Sequence, residues 1–343
     1  MNLESLYFQV NTHLDTIDFS ILWKGFERLK FALYNQKECF FDGKYIEKDD
    51  SFVANTAIYY NGEFIAIWNV TQEIDPEVLA SKIVHEMFHA FQRINNESRF
   101  ANELEALINY RILSENLSYK YYESKLMCQL IDSFDESDFQ KLLNLKKLRY
   151  NAFTYEYTYE ALVEQIEGSA HFVEYKALLQ ISKDKAKKLF ESMIQSVLTP
   201  SHYLPVRVIS YSIGALFFYL LNKTKDIEYE NFSKDPIAIT VIKQRDTTNS
   251  NYPNTEEPFN EIIQSYHNET KQIIDNACKK NEIVLVGDYP LLGVNVYNAR
   301  LLNSNIVTTF FVMYMDNKTP KTLMGDFVLE LHESTNIKRI LAI

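Results

Sequence analysis

The sequence predicts an α+β protein, predominantly helical, with an N-terminal α/β hairpin region and a small C-terminal β unit. Three observations lead there. Eight glycines and eight prolines in 343 residues are well under the usual share, so long flexible linkers are not expected. Apolar residues recur at three- and four-residue intervals through most of 75–280, and alternating β-rich runs lie before that stretch and after residue 283. At roughly 150 residues per domain the length suits two to three units. These are expected at 1–74 (α/β with the hairpin), 75–280 (helical) and 281–343 (β-rich).

Taken in order, the first 50 residues alternate aromatic and polar positions and read as a small α/β entry unit. Residues 55–60 and 63–70 are β-rich runs joined by Asn61-Gly62, the dipeptide preferred in type I′ turns, which predicts a hairpin. Asp75-Pro76-Glu77 then supplies a capping carboxylate, a proline at the first helical position and an acidic first turn. The helix it opens carries Leu79, Ile83, Val84, Met87, Phe88 and Phe91 on its apolar side and ends at Asn95-Asn96. Helical periodicity continues over about 101–133, 138–148, 157–181, 184–197 and 205–223. Strand-like runs come next at 293–301, 306–315 and 322–331, separated by Asn303-Ser304-Asn305 and Asp316-Asn317.

Composition narrows the function classes. A net charge of −11 disfavours nucleic acid or an anionic membrane as the partner and favours neutral or basic ligands. Three cysteines without short spacing, Cys39, Cys128 and Cys278, read as reduced packing residues. The first ten residues lack the basic head and apolar run of a signal peptide, and the longest apolar stretch, 208–221, is too short to span a bilayer. A cytoplasmic protein without a membrane partner is therefore expected. The oligomeric state is open.

The helix after the hairpin carries His85-Glu86-Met87-Phe88-His89, an HExxH pattern. Histidines four apart lie about 40° from each other around a helix, so both imidazoles reach one tetrahedral Zn²⁺, while Glu86 stands beside the metal as a base. The flanking apolar residues place this helix in the interior, where two imidazoles and a carboxylate are costly without partners. A catalytic zinc needs a third protein ligand and leaves a position for water. The candidate stretch is Glu164 to Tyr175, where acidic residues at 160, 164, 167 and 174 fall on roughly one helical face.

An HExxH helix succeeded by Glu167-Gly168-Ser169-Ala170 and by Tyr211-Ser212-Ile213-Gly214 at the start of an apolar helix resembles the gluzincin metallopeptidases, the aminopeptidase-N-like branch in particular. The resemblance touches residues 75–221 and implies a zincin-like metallopeptidase domain. It implies Glu167 as third zinc ligand, Glu174 as the residue supporting a ligand histidine, and Tyr211 as donor to the oxyanion. Two departures stand out: the interval from His89 to Glu167 is longer than in that branch, and no Gly-x-Met-Glu-Asn segment is present to grip a free α-amine. Glu164, one turn before Glu167, is the rival third ligand. Glu103 and Glu105 are further rivals without the small residues that let a helix approach the metal.

The function expected is hydrolysis of peptide bonds in a peptide or protein substrate, with Glu86 as general base and Tyr211 as oxyanion donor. The strand at 63–70, just ahead of the metal-binding helix, is expected to be the sheet edge that pairs with an extended substrate, or else an ordinary hairpin strand. Arg207 either grips a substrate carboxylate or forms a surface salt bridge. His171 and His202 either line the cleft or are structural. The competing reading is a catalytically silent zinc protein that binds a peptide or protein partner.

Overall fold

The computed structural model describes residues 2–224, 227–231, 234–243, 252, 258–332 and 335–343. It is a mixed α/β chain with two sheets. Helix α1 (Leu3–Leu14) is capped by the Asn2 side chain, which accepts from the Ser5 N–H. Strands β1 (Phe31–Tyr34), β2 (Cys39–Phe41), β3 (Lys44–Ile46), β4 (Thr56–Tyr60) and β5 (Glu63–Asn69) form a sheet in the order β3-β2-β1-β5-β4. The expected hairpin is β4–β5, with Tyr60 opposite Glu63 and both Asn61 and Gly62 at positive φ, as a type I′ turn requires.

Helix α2 (Pro76–Ile94) begins where Asp75 accepts from the N–H groups of Glu77 and Val78, and it packs on β5 and α1. Next come α3 (Glu103–Asn109), α4 (Ser114–Asp132), α5 (Glu136–Ala152) and α6 (Thr154–Val163). The continuous helix expected at 101–133 is two, parted by the extended backbone at Tyr110 and Leu113. From α6 the chain runs without a break through a π turn at Glu164–Gly168 into α7 (Ser169–Ile181). Helices α8 (Lys183–Val197), α9 (Val206–Lys223), α10 (Ile237–Lys243) and α11 (Phe259–Lys280) complete this part. The apolar stretch 208–221 lies within α9, largely buried, and among the described residues no helix is long and apolar enough to cross a membrane.

The C-terminal sheet is larger than expected. Strands β6 (Ile283–Val294), β7 (Arg300–Leu302), β8 (Asn305–Thr308), β9 (Phe311–Asp316), β10 (Thr319–Met324), β11 (Phe327–Leu331) and β12 (Asn336–Ala342) lie in the order β10-β9-β6-β12-β11-β8-β7. The run expected at 293–301 is broken by a turn over 295–299. That expected at 306–315 is broken at Phe310, whose φ is +73°. A single buried core extends from Leu3 to Phe259 and joins the inner face of the first sheet to the helices. The second sheet has its own core around Ile306, Val312, Leu329 and Ile340, against which Leu104 and Leu107 of α3 pack; Ile274 and Ala277 of α11 pack on its other side. Cys39 is buried and Cys128 half-buried, but Cys278 is exposed on α11 and is not a packing residue.

Candidate metal centre

Helix α2 is interior: Ile83, Val84, Met87 and Phe88 are buried around the motif, which orients His85 and His89 to one side. His85 Nδ1 lies 3.2 Å from Glu174 Oε2, and Lys82 sits 3.5 Å from the other oxygen of that carboxylate. His89 Nδ1 lies 2.8 Å from Gln92 Oε1. The Gln92 amide is oriented by its nitrogen, which donates to Ile166 O and to Ser169 Oγ, so oxygen faces the imidazole. Both Nδ1 atoms are therefore N–H donors in the neutral rings, and both Nε2 atoms present bare lone pairs.

Those lone pairs meet. The two Nε2 atoms are 3.0 Å apart, and Glu167 Oε2 lies 3.3 Å from that of His89 and 3.9 Å from that of His85. Three lone-pair donors at this spacing repel unless a positive charge stands among them. One solution is a proton on His85: burial lowers its proton affinity, but the Glu167 and Glu174 carboxylates carry its pKa to about 10. The other is a metal cation. Zn–N and Zn–O bonds of about 2.0–2.2 Å in a tetrahedron separate ligand atoms by about 3.4 Å, a value the three distances bracket. The donor set, its spacing and the oriented imidazoles fit zinc.

Glu167 divides its oxygens. Oε2 faces the imidazoles, while Oε1 accepts from Arg207 Nη2 at 2.8 Å; Arg207 Nη1 holds Glu103, which also accepts from the Tyr159 hydroxyl. Burial opposes ionisation of Glu167, but the neighbouring imidazoles of His89 and His85 and the Arg207 guanidinium hold it well below the ordinary carboxylate range. Arg207 is thus no surface salt bridge: its side chain is 12% exposed and is bound between two carboxylates.

The acidic residues of this region do not share one face. Glu160 and Glu164 turn into a buried charged cluster with Lys120, Lys146, Arg149 and Glu123. Glu167 and Glu174 turn to the histidines. The physical reason is the π turn, whose i→i+5 bonding rotates α7 about the helix axis relative to α6. Glu164 Oε1 lies 3.9 Å from Lys120 Nζ, and Glu164 is in neither His/Cys/Asp/Glu grouping with metal-binding spacing among the described residues. Its carboxylate belongs to the charged cluster and not to the histidine pair. Glu103 lines the cleft but is bound to Arg207 and is not grouped with the histidines, and Glu105 is exposed beside Asn102. The second such grouping, His85, His171 and Glu174, shares His85 with the first; His171 Nδ1 is buried without a hydrogen bond. His202 lies near Ser196, 3.3 Å from its hydroxyl, and does not line the cleft.

The centre opens into a cleft of about 270 Å³ lined by Thr56, Glu86, His89, Phe100, Arg207 and Tyr297, among others. Glu86 is 8% exposed; burial raises its carboxyl above the ordinary range, against the pull of the imidazoles. Tyr211 stands behind this wall, its ring centroid 6.4 Å from that of His171 and 6.2 Å from that of Tyr297. Its hydroxyl is buried without a hydrogen-bond partner. Burial, then the Glu167 charge, keeps the phenol protonated far above its usual pKa.

Strand β5 is not a sheet edge. It pairs on one side with β4 and on the other, in parallel, with β1, so the expected substrate strand is interior. The edge is β4. Asn55 and Thr56 at its start line the cleft, and Arg93 of α2 donates to Ala57 O. Sequence reasoning also missed Gln92 and Tyr297. Gln92 had a signal, one turn after His89 on the same helical face; Tyr297, on a turn of the C-terminal sheet, had none. Compared with known proteins, the chain matches no family model, no curated protein and no solved structure.

Proposed function

We propose that this chain is a zinc-dependent metallopeptidase of zincin-like architecture, with His85, His89 and Glu167 holding one Zn²⁺. The observation that carries the reading is the convergence of two bare Nε2 lone pairs and a carboxylate oxygen, each imidazole already fixed from its far side. Bound there, zinc would supply Lewis acidity and lower the pKa of a water towards about 7.

The chain's own residues supply the rest. Glu174 and Gln92 hold the imidazole tautomers, and Arg207 holds the Glu167 carboxylate by the oxygen that does not face the histidines. Glu86, on the cleft wall, accepts the proton of the attacking water and returns it to the leaving amine. Tyr211, a buried neutral phenol beside Tyr297, donates to the oxygen on which negative charge develops. An extended peptide adds to the side of β4 that pairs with no strand among the described residues, next to the cleft bordered by Thr56.

Glu86→Gln tests the reading. Cleavage of a mixed peptide pool by the zinc-loaded protein is expected to fall by orders of magnitude, with zinc content and folding unchanged. Unchanged cleavage overturns the mechanism. No chelator-sensitive cleavage by the wild type, with zinc bound, favours a zinc protein that binds a peptide without turnover.

A further inference from the structure

A second cavity, of about 220 Å³, lies behind Arg207, between α3, α9, α11 and the C-terminal sheet. We infer that it binds one large apolar side chain of the peptide, aromatic or branched aliphatic, so that the protein selects such a residue near the scissile bond; this rests on the peptidase reading of the zinc centre. Its lining is mixed: Leu107, Ile112, Leu204, Val206, Val296 and Leu301 give it an apolar part, beside polar groups that include Arg207, His267 and Arg300.

The charged groups on its rim are already matched. Arg207 is held by Glu103 and Glu167, and Arg300 lies 3.2 Å from Glu269 and 4.4 Å over the Tyr266 ring. Two of its phenols are already engaged: the Tyr110 hydroxyl donates to Glu160 at 2.6 Å and that of Tyr159 to Glu103 at 3.0 Å. A charged guest would have to compete with these existing partners and would lose its water. An uncharged apolar guest loses nothing. Size agrees, since a dry apolar cavity of about 150 Å³ already takes a benzene ring.

Position ties the cavity to the centre. Glu103 and Arg207 line both cavities, so the pair is the partition between them. Arg207 Nε, buried and without a partner, is a donor on that partition for a carbonyl of the same peptide. Val296, Ala299, Arg300 and Leu301 wall the cavity while Tyr297, on the same turn, lines the cleft, which makes the C-terminal sheet part of substrate selection.

The test is calorimetric binding to zinc-loaded Glu86→Gln protein of a blocked penta-alanine peptide and of five versions carrying Phe at each position in turn. One placement of Phe is expected to bind about ten- to a hundredfold tighter than penta-alanine, the gain from burying such a side chain. The same placement of Asp should give no gain. Ala299→Trp and, separately, Val296→Trp, each checked for an intact fold, should fill the cavity and reduce the Phe gain to about twofold or less. Equal affinity for all five Phe peptides and penta-alanine, or a Phe gain that survives in a folded filled variant, overturns the inference. Binding needs no cleavage, so the outcomes separate: a Phe preference without turnover by the wild type refutes the peptidase and keeps the pocket, and turnover without preference does the reverse.

Discussion

Gly168 and Gly214 meet backbone to backbone where α9 crosses the π turn: a Cβ on Gly168 would lie 2.5 Å from the Gly214 Cα, and one on Gly214 would lie 2.7 Å from Glu164 O. The small residues of Glu167-Gly168 and Tyr211-x-x-Gly214 therefore have one cause. They let two helices touch, which sets Tyr211 of α9 near the π turn that carries Glu167. Neither backbone can yield as a flexible side chain would, so Gly168→Ala and Gly214→Ala should each cost about 1–3 kcal/mol and lower the melting temperature by several degrees. Both should also weaken zinc binding by displacing Glu167. Gly293→Ala, whose Cβ would meet only Met313 at 3.8 Å, is the control and should change little.

The outer partners of the histidines should matter almost as much as the histidines. Gln92→Ala removes the acceptor at His89 Nδ1, and Glu174→Ala removes that at His85 Nδ1. Each is expected to weaken zinc about ten- to a hundredfold in a chelator competition, with helix content unchanged. Gln92→Glu, which keeps an acceptor there, should lose less.

Arg207 binds two carboxylates of the partition, so its removal leaves charge buried without a partner. Arg207→Met is expected to destabilise the protein by about 3–5 kcal/mol in urea unfolding. Adding Glu103→Gln should recover part of that loss. A double variant as unstable as the single one would contradict the pairing.

Acid sensitivity should trace to the buried charged cluster. Burial alone would raise the Glu160 carboxyl, but the Arg149 and Lys120 charges, with a hydrogen bond from Tyr110, pull it down to about 2. A depressed carboxylate contributes stability that is complete above its unfolded pKa, near 4.5, and is lost as the pH falls from there towards about 2. The loss from this group is on the order of 3 kcal/mol. Urea unfolding between pH 5 and pH 2.5 should show it. Glu160→Gln, less stable at pH 7, should flatten that part of the profile.

The features legible in the sequence were those that local periodicity decides. The i, i+4 spacing of His85 and His89, the Asp75-Pro76 start of α2 and the Asn61-Gly62 turn each depend on a few neighbouring residues, and the structure places them as expected. The shared face expected for Glu160, Glu164, Glu167 and Glu174 fails because ordinary helical spacing aligns them, and a one-residue π insertion leaves no mark in the composition of the stretch. The sequence leaves open whether β5 is an edge or an ordinary hairpin strand because its parallel partner β1 lies some thirty residues earlier, in a pairing set by tertiary packing rather than by either strand's own pattern. Tyr297 was invisible for the same reason: only the folded C-terminal sheet carries that turn to the cleft.

Zinc held by His85, His89 and Glu167 is what the proposed chemistry requires, and elemental analysis of purified variants after zinc loading and dialysis decides whether it binds there. One zinc per chain is predicted for the wild type and for Glu164→Ala, and none for His89→Ala or Glu167→Ala, with folding checked by circular dichroism. Full zinc retention by folded Glu167→Ala, or a wild type that holds no zinc, would contradict it.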